Sequence, residues 1–301
     1  MHISQSVKSS YNEPTMNTDK SYIEDIYKTC KYAIDQANQI ALEFWGKVTN
    51  EGKEFDNNHG SKQDIARITA KSEIDDRIQD LFLGKLIENS QTDYIAIDTE
   101  EQTKLVSKFK EDAPSTLVLD PLDGSLEYIN RELDFSINVA LISQKKIEFS
   151  IVSFPAMNVI FENHGSQKYT MEAIDPQNEF NHESRFDLVE NKDNSSESLT
   201  VHYNRRVSKK ILHELADQQI KTEPSNGLYL PILAIMKGEC NAVIAGTPQI
   251  RDILLHEILA GMHPDIFEIY NFRGDPINWY SKQRLDNYVF AKKGMRKFLQ
   301  F

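Results

Sequence analysis

Ten residues restrict this chain more than any others: Thr116-Leu117-Val118-Leu119-Asp120-Pro121-Leu122-Asp123-Gly124-Ser125. An apolar run of strand character ends abruptly in two carboxylates three positions apart, followed by a glycine and a hydroxyl. Pro121 fixes its own φ and Gly124 allows backbone angles that other residues resist, so the acidic loop is expected to be rigid. Two carboxylates forced together repel, which raises a pKa, whereas a divalent cation satisfies both through oxygen ligands. A metal is the electrostatically cheaper reading. Ser125 could cap a helix beginning near Leu126, and the free N–H groups there would form an anion-binding face beside the metal. Metal plus helix N-terminus points to phosphate. The structural alternative is that Asp120 ends a strand, Asp123 sits in a turn and Ser125 is only a cap. Two other places weigh against it: a strand Tyr94–Asp98 running into Thr99-Glu100-Glu101, and Asp252 in the first turn of an expected helix after Thr247-Pro248.

Charge narrows the partners. Among the 301 residues, 46 acids against 34 bases give a net charge of −12, with Lys and Arg scattered, so a nucleic-acid polyanion is a poor ligand. An anionic small molecule fits only where a local cation reverses the field. Cys30 and Cys240 are the only thiols and no CxxC occurs, so neither a disulfide framework nor a thiolate zinc site is expected, and both read as buried small hydrophobes. No apolar run approaches the ~18 residues of a membrane helix, and the polar opening from Met1 to Lys20 has no signal-peptide core, so a cytoplasmic protein is expected.

Periodicity predicts a long amphipathic helix opened by a Ser21/Glu24 capping box and running through Ile23, Tyr27, Cys30, Ile34, Ala37, Ala41, Phe44 and Val48. A polar loop from Glu51 to Gln63 precedes a second helix with Ile74, Ile78, Leu81 and Ile87. Strands are expected at Tyr94–Asp98, Thr116–Asp120, Phe135–Ile142, Ile147–Phe154 and Met157–Phe161, with a hairpin turn at Ser143–Lys146. The polar stretch Glu162–Glu197 is the expected boundary between an N-terminal α+β domain, 20–190, and a C-terminal α/β domain, 197–301. Beyond it the expected order is strand Leu199–Tyr203, helices Val207–Gln219 and Leu228–Lys237, strand Asn241–Ala245, helix Ile250–Ala260 capped by Gly261, and strand Ile266–Tyr270. The class is layered α/β or α+β.

The ordered set Glu100-Glu101, then Asp120-Pro121-Leu122-Asp123-Gly124-Ser125, then Asp252, resembles the inositol monophosphatase superfamily of metal-dependent, lithium-sensitive phosphatases. Glu127-Tyr128, Phe135–Ile142, Pro155–Val159 and Arg273–Tyr280 resemble its 3'(2'),5'-bisphosphate nucleotidase branch. Over roughly residues 20 to 295 the resemblance implies a layered αβαβα fold. It also implies Mg²⁺ held by Glu100, Asp120, Asp123, Asp252 and the Leu122 carbonyl, with Glu100 and the Ser125 hydroxyl orienting a water for in-line attack. Catalysis would fall to Glu100, Asp123 and Ser125, and substrate contact to Gly124, Ser125, Arg205 and Arg206. The implied substrate is a small phosphorylated metabolite, 3'-phosphoadenosine 5'-phosphate first and inositol phosphate second, taken by a monomer or homodimer.

The resemblance departs in places. Arg251-Asp252 followed by Ile253, Leu254, Leu255 and His256 stands where the family has Trp-Asp and small residues, which would reshape the pocket, and Gly227-Leu228-Tyr229-Leu230-Pro231 lacks the family's hydroxyl and lysine. A catalytically weakened member acting as a binding or assembly protein is therefore a rival reading. A haloacid-dehalogenase-type phosphatase is another, but it spaces its acids D-x-D, unlike Asp120 and Asp123. Tyr203 to Arg206 would meet a second phosphoryl group or form a solvated basic loop. Tyr229 or Tyr280 could face a base. His213-Glu214 and His256-Glu257 lack the second histidine of a zincin, so both histidines are expected at a surface or interface. The sequon at Asn194 is expected to be unused.

Overall fold

A computed structural model describes residues 21–51, 71–165, 168–174, 199–204, 206–225, 230–236, 238–277, 285, 287–299 and 301. Helices α1 (Ser21–Phe44) and α2 (Glu73–Glu88) come first. Strands β1 (Ile95–Thr99) and β2 (Ser115–Asp123), the single-turn helix α3 (Ser125–Ile129), and strands β3 (Ser136–Ser143), β4 (Lys146–Phe154), β5 (Val159–His164) and β6 (Lys168–Ala173) follow. The second half holds β7 (Thr200–Tyr203), α4 (Lys209–Asp217), β8 (Lys221–Pro224), α5 (Leu230–Met236), β9 (Ala242–Ala245), α6 (Leu254–Met262), β10 (Phe267–Tyr270) and β11 (Tyr288–Lys292).

Two sheets carry the fold, ordered β1-β2-β3-β4-β5-β6 and β10-β11-β9-β7-β8. In the first sheet β1 runs parallel to β2 and every other pair is antiparallel. The outer face is covered by α1 and α2. Ile26, Cys30, Ala33, Ile34, Ala37 and Ala41, at spacings of three and four, are each 0% exposed against Leu117, Leu119, Ile137 and Val139. The other face meets α6, whose Leu254, Leu255 and Ile258 pack with Val152, Phe154 and Phe161 on one side and Val243, Tyr288 and Phe290 on the other. A third apolar cluster, with Val201, Leu215, Ile244 and Met295, closes the far face of the second sheet under α4. The layers are therefore α, β, α, β, α, as expected. No helix among the described residues is long and apolar enough to cross a membrane.

Several local expectations need correction. α1 stops at Phe44 rather than Val48, because Gly46 adopts φ +66° and a Cβ there would lie 2.8 Å from the Arg131 side chain. β6 lies inside the stretch read as a polar boundary; its pairing with β5 comes from the sheet edge rather than from an apolar pattern of its own. β8 and β11 were not expected. The helix expected over Ile250–Ala260 is a 3₁₀ turn, Ile250–Ile253, followed by α6. Gly261 is within α6, not a cap. A Cβ on it would come 2.1 Å from the Tyr169 ring, so the glycine admits β6 against the helix. His256 is buried and stacks on Phe290 at 4.7 Å and Tyr288 at 5.4 Å, so it belongs to the core, whereas His213 is exposed. Both cysteines are buried and free.

Candidate active site

Backbone topology gathers the acids. Because β1 and β2 are parallel, with Asp98 opposite Val118 and Thr99 opposite Leu119, both strands finish at the same edge of the sheet. β1 stops at Thr99, opposite Leu119, so Glu100 leaves β1 at the level where Asp120 stands inside β2. An odd separation of three would normally send Asp120 and Asp123 to opposite faces of β2. The strand instead carries a bulge: Asp120 pairs with Asn138 and Asp123 with Ser136, so three steps on β2 match two on β3. Asn138 and Ser136 share a face, and so, by the same count, do the two aspartates. Pro121, which offers no N–H to a ladder, sits in that bulge, where such a residue is tolerated.

The chain then turns through Gly124 at φ +82°, where a Cβ would lie 2.4 Å from the Asp134 carbonyl oxygen, and enters α3. Tyr128 anchors this turn, its hydroxyl donating to the Ala41 carbonyl at 2.8 Å while its ring stands edge-on to Phe135. Ser125 is the first helical residue rather than a cap. Its hydroxyl lies 2.8 Å from Asp75 Oδ1 and 3.0 Å from the Leu122 carbonyl oxygen and can donate its single proton to either. Asp75, 1% exposed, was not singled out in the sequence. Its other oxygen accepts from the Ser72 N–H and hydroxyl in a capping box at the start of α2, and the motif Ser72-x-x-Asp75 was the available signal.

Buried Gln79 fixes the turn after β1, donating to the Glu101 carbonyl at 2.8 Å and accepting from the Glu101 N–H at 3.1 Å and from the Thr99 hydroxyl. Lys71 bridges Glu101 at 2.9 Å and Asp76 at 2.8 Å, so Glu101 is engaged in an ion pair, while the charge of Glu100 acts on Asp120, Asp123 and Asp252. From the second half, the turn Ile250–Ile253 packs on β2 and β3 and delivers Asp252, whose Oδ2 accepts from the Gln249 N–H at 2.8 Å. Arg251 comes with it, its Nη1 3.8 Å from Asp98 Oδ1. Across the bulge, Asn138 is fully buried, accepts from Ser136 at 3.0 Å, and has no partner for its amide nitrogen among the described residues.

Electrostatics mark the cluster. Burial, then Glu100 and Asp123, pushes the Asp120 carboxyl well above the usual carboxylate range, with Arg251 opposing. Asp123 is raised well above it by burial, then by Asp252, Asp134 and Glu100. Asp252 is raised by burial and Glu100, against the Gln249 N–H and Arg251. Asp120 is 2% exposed, while Asp123 and Asp252 keep part of their surface open. Among the described residues, no three Asp, Glu, His or Cys side chains stand as a ready-made metal cluster. Asp252 accepts instead from the Gln249 N–H at the start of its own turn. The donors themselves, carboxylates with a backbone carbonyl nearby and neither thiolate nor imidazole, are those a hard divalent cation takes. Arg206 is exposed, reaches the Thr247 carbonyl at 3.3 Å and lowers Asp252 through its charge. Arg205, Tyr229 and Tyr280 lie outside the described residues.

Known proteins agree with this architecture. A 44-residue segment, 15% of this chain and 18% of the relative's length, is 43% identical to the Escherichia coli 3'(2'),5'-bisphosphate nucleotidase CysQ. Staphylococcal inositol monophosphatase-1, solved as a lithium chloride inhibitory complex, superposes with a TM-score of 0.66 at 16% identity, covering 94% of this chain and 95% of that one. An IMPase/NADP phosphatase complexed with Mg²⁺ and phosphate gives 0.64 at 16% identity, over 93% and 95%. Residues 24–253 match the inositol monophosphatase family, and the chain belongs to that family.

Proposed function

We propose that the chain is a Mg²⁺-dependent phosphomonoesterase of the cytoplasm, acting on a small bisphosphorylated nucleotide such as 3'-phosphoadenosine 5'-phosphate. The observation that carries the reading is the bulge in β2, which puts Asp120 and Asp123 on one face beside Glu100 and under the turn bearing Asp252. Glu100, Asp120, the Leu122 carbonyl, Asp123 and Asp252 would hold the ion. When bound, it would neutralise phosphate oxygens and lower the pKa of a water, as divalent cations do.

The chain's own groups do the rest. Ser125, its one proton donated to Asp75, orients a water by accepting a hydrogen bond from it, and Glu100 takes the water's proton. The Gly124 and Ser125 N–H groups bind phosphate oxygens, and Arg205 and Arg206 meet a second phosphoryl group, which a cation-bearing loop at the rim would select. The nucleotide reading is supported by the short CysQ segment. An inositol phosphate is the second reading, supported by the fold shared with a dual specific IMPase/NADP phosphatase bound with D-inositol-1-phosphate.

Phosphate release from a panel of nucleotide bisphosphates, inositol phosphates and NADP, with and without Mg²⁺, tests it. Expected is Mg²⁺-dependent turnover highest on the nucleotide bisphosphate and reduced about 10²-fold or more in Asp123→Asn. Turnover on inositol phosphate alone selects the second reading. Absence of turnover on every member, with Mg²⁺ bound, selects the binding-protein rival and overturns the proposal.

A further inference from the structure

Arg251 is part of the acid cluster's surroundings, not a distant surface charge. Its side chain is only 14% exposed, and its neighbour Asp252 caps the 3₁₀ turn that carries both residues onto the ends of β2 and β3. The turn that carries it packs on β2, which bears Asp120 and Asp123, so the guanidinium stands in the field of those carboxylates as well as of Asp98. A guanidinium cannot give up its proton to relieve the site, so its charge is permanent. Asp98, near the end of β1, lies 3.8 Å from the Arg251 Nη1.

Resting on the divalent-cation reading above, we propose that Arg251 is a built-in competitor for that cation. Its guanidinium shares the field of Asp120, Glu100 and Asp252, stabilises the metal-free protein, and sets how tightly and at how many positions a divalent ion is taken. A neutral side chain at this position leaves the same carboxylates with one positive charge fewer. Their affinity for an external cation then rises while their tolerance of being empty falls.

The test is calorimetric titration of the full chelator-treated chain with Mn²⁺, alongside thermal unfolding with and without Mn²⁺, for wild type, Arg251→Met and Arg251→Lys. Expected is at least tenfold tighter Mn²⁺ binding, or an added binding step, in Arg251→Met. That variant should melt below wild type without metal and regain the difference with it, while Arg251→Lys should follow wild type. Arg251→Gln replaces Arg251→Met if the latter does not fold without metal. Equal affinity and stoichiometry in the neutral variant and wild type, or weaker binding in a folded neutral variant, overturns the inference alone. No Mn²⁺ binding in any variant overturns it together with the metal-dependent reading of the site.

Discussion

Glu257 illustrates how much one side chain can weigh when the fold leaves it few partners. It sits on α6 between the sheets, away from the acid cluster, and burial pushes its carboxyl up to about 8 from the usual 4.5. Tyr169 and Tyr288 face it, and its charge raises both of them further. With the folded value above the unfolded one, native protein keeps a proton that unfolded protein has lost, so stability declines as pH rises from about 4.5 to about 8. The slope is bounded by about 1.4 kcal/mol per pH unit and is smaller here, since Glu257 retains some exposure to water. Subtracting melting curves of Glu257→Gln from wild type between pH 5 and 8.5, in chelator, isolates this group from the acid cluster. The variant is expected to gain on wild type steadily as pH rises. A difference that stays flat across the range would mean the carboxyl is ionised throughout.

At the scale of elements, the parts readable from sequence were those whose residues act through their own neighbours. The periodic apolar face of α1, the alternation in β3, and the Asp-Pro-Leu-Asp-Gly-Ser run each announced their conformations. β6 and β8 did not, since an edge strand is specified by the partner that accepts it, and β11, an inner strand held between β10 and β9, was missed as well. Asp75 was hidden for the same reason: its capping role is local, but its link to Ser125 crosses 50 residues. Gly261 misled by reading as a helix stop when its purpose is contact. The ring of Tyr169 lies where a Cβ would stand, so Gly261→Ala forces β6 away from α6 and is expected to cost about 1–3 kcal/mol. Tyr169→Ala removes the obstacle. In a double-mutant cycle followed by urea unfolding, the alanine at 261 should be far less costly once Tyr169 is gone, and additive effects would show that the two do not meet.

For the whole molecule, the decisive feature is that the middle helical layer belongs to both sheets. Leu254, Leu255 and Ile258 share one apolar cluster with Val152, Phe154 and Phe161 of the first sheet and Val243, Tyr288 and Phe290 of the second. The proposed division at 20–190 and 197–301 thus separates two sheets without separating their cores. It also splits the acids, with Asp252 supplied across the boundary. Neither half can bury that layer or complete the cluster alone, so the two should unfold together. Ile258→Ala, at a fully buried position, is expected to cost about 2–5 kcal/mol. Hydrogen exchange then reads where that loss is felt. If the halves are one cooperative unit, the slowest amides of β3 and β4 lose protection by the same factor as those of β9 and β11, about 30-fold or more. Loss confined to β9 and β11 would mean that the first sheet with α1 and α2 holds itself together, and that Asp252 reaches its partners only through a docking equilibrium.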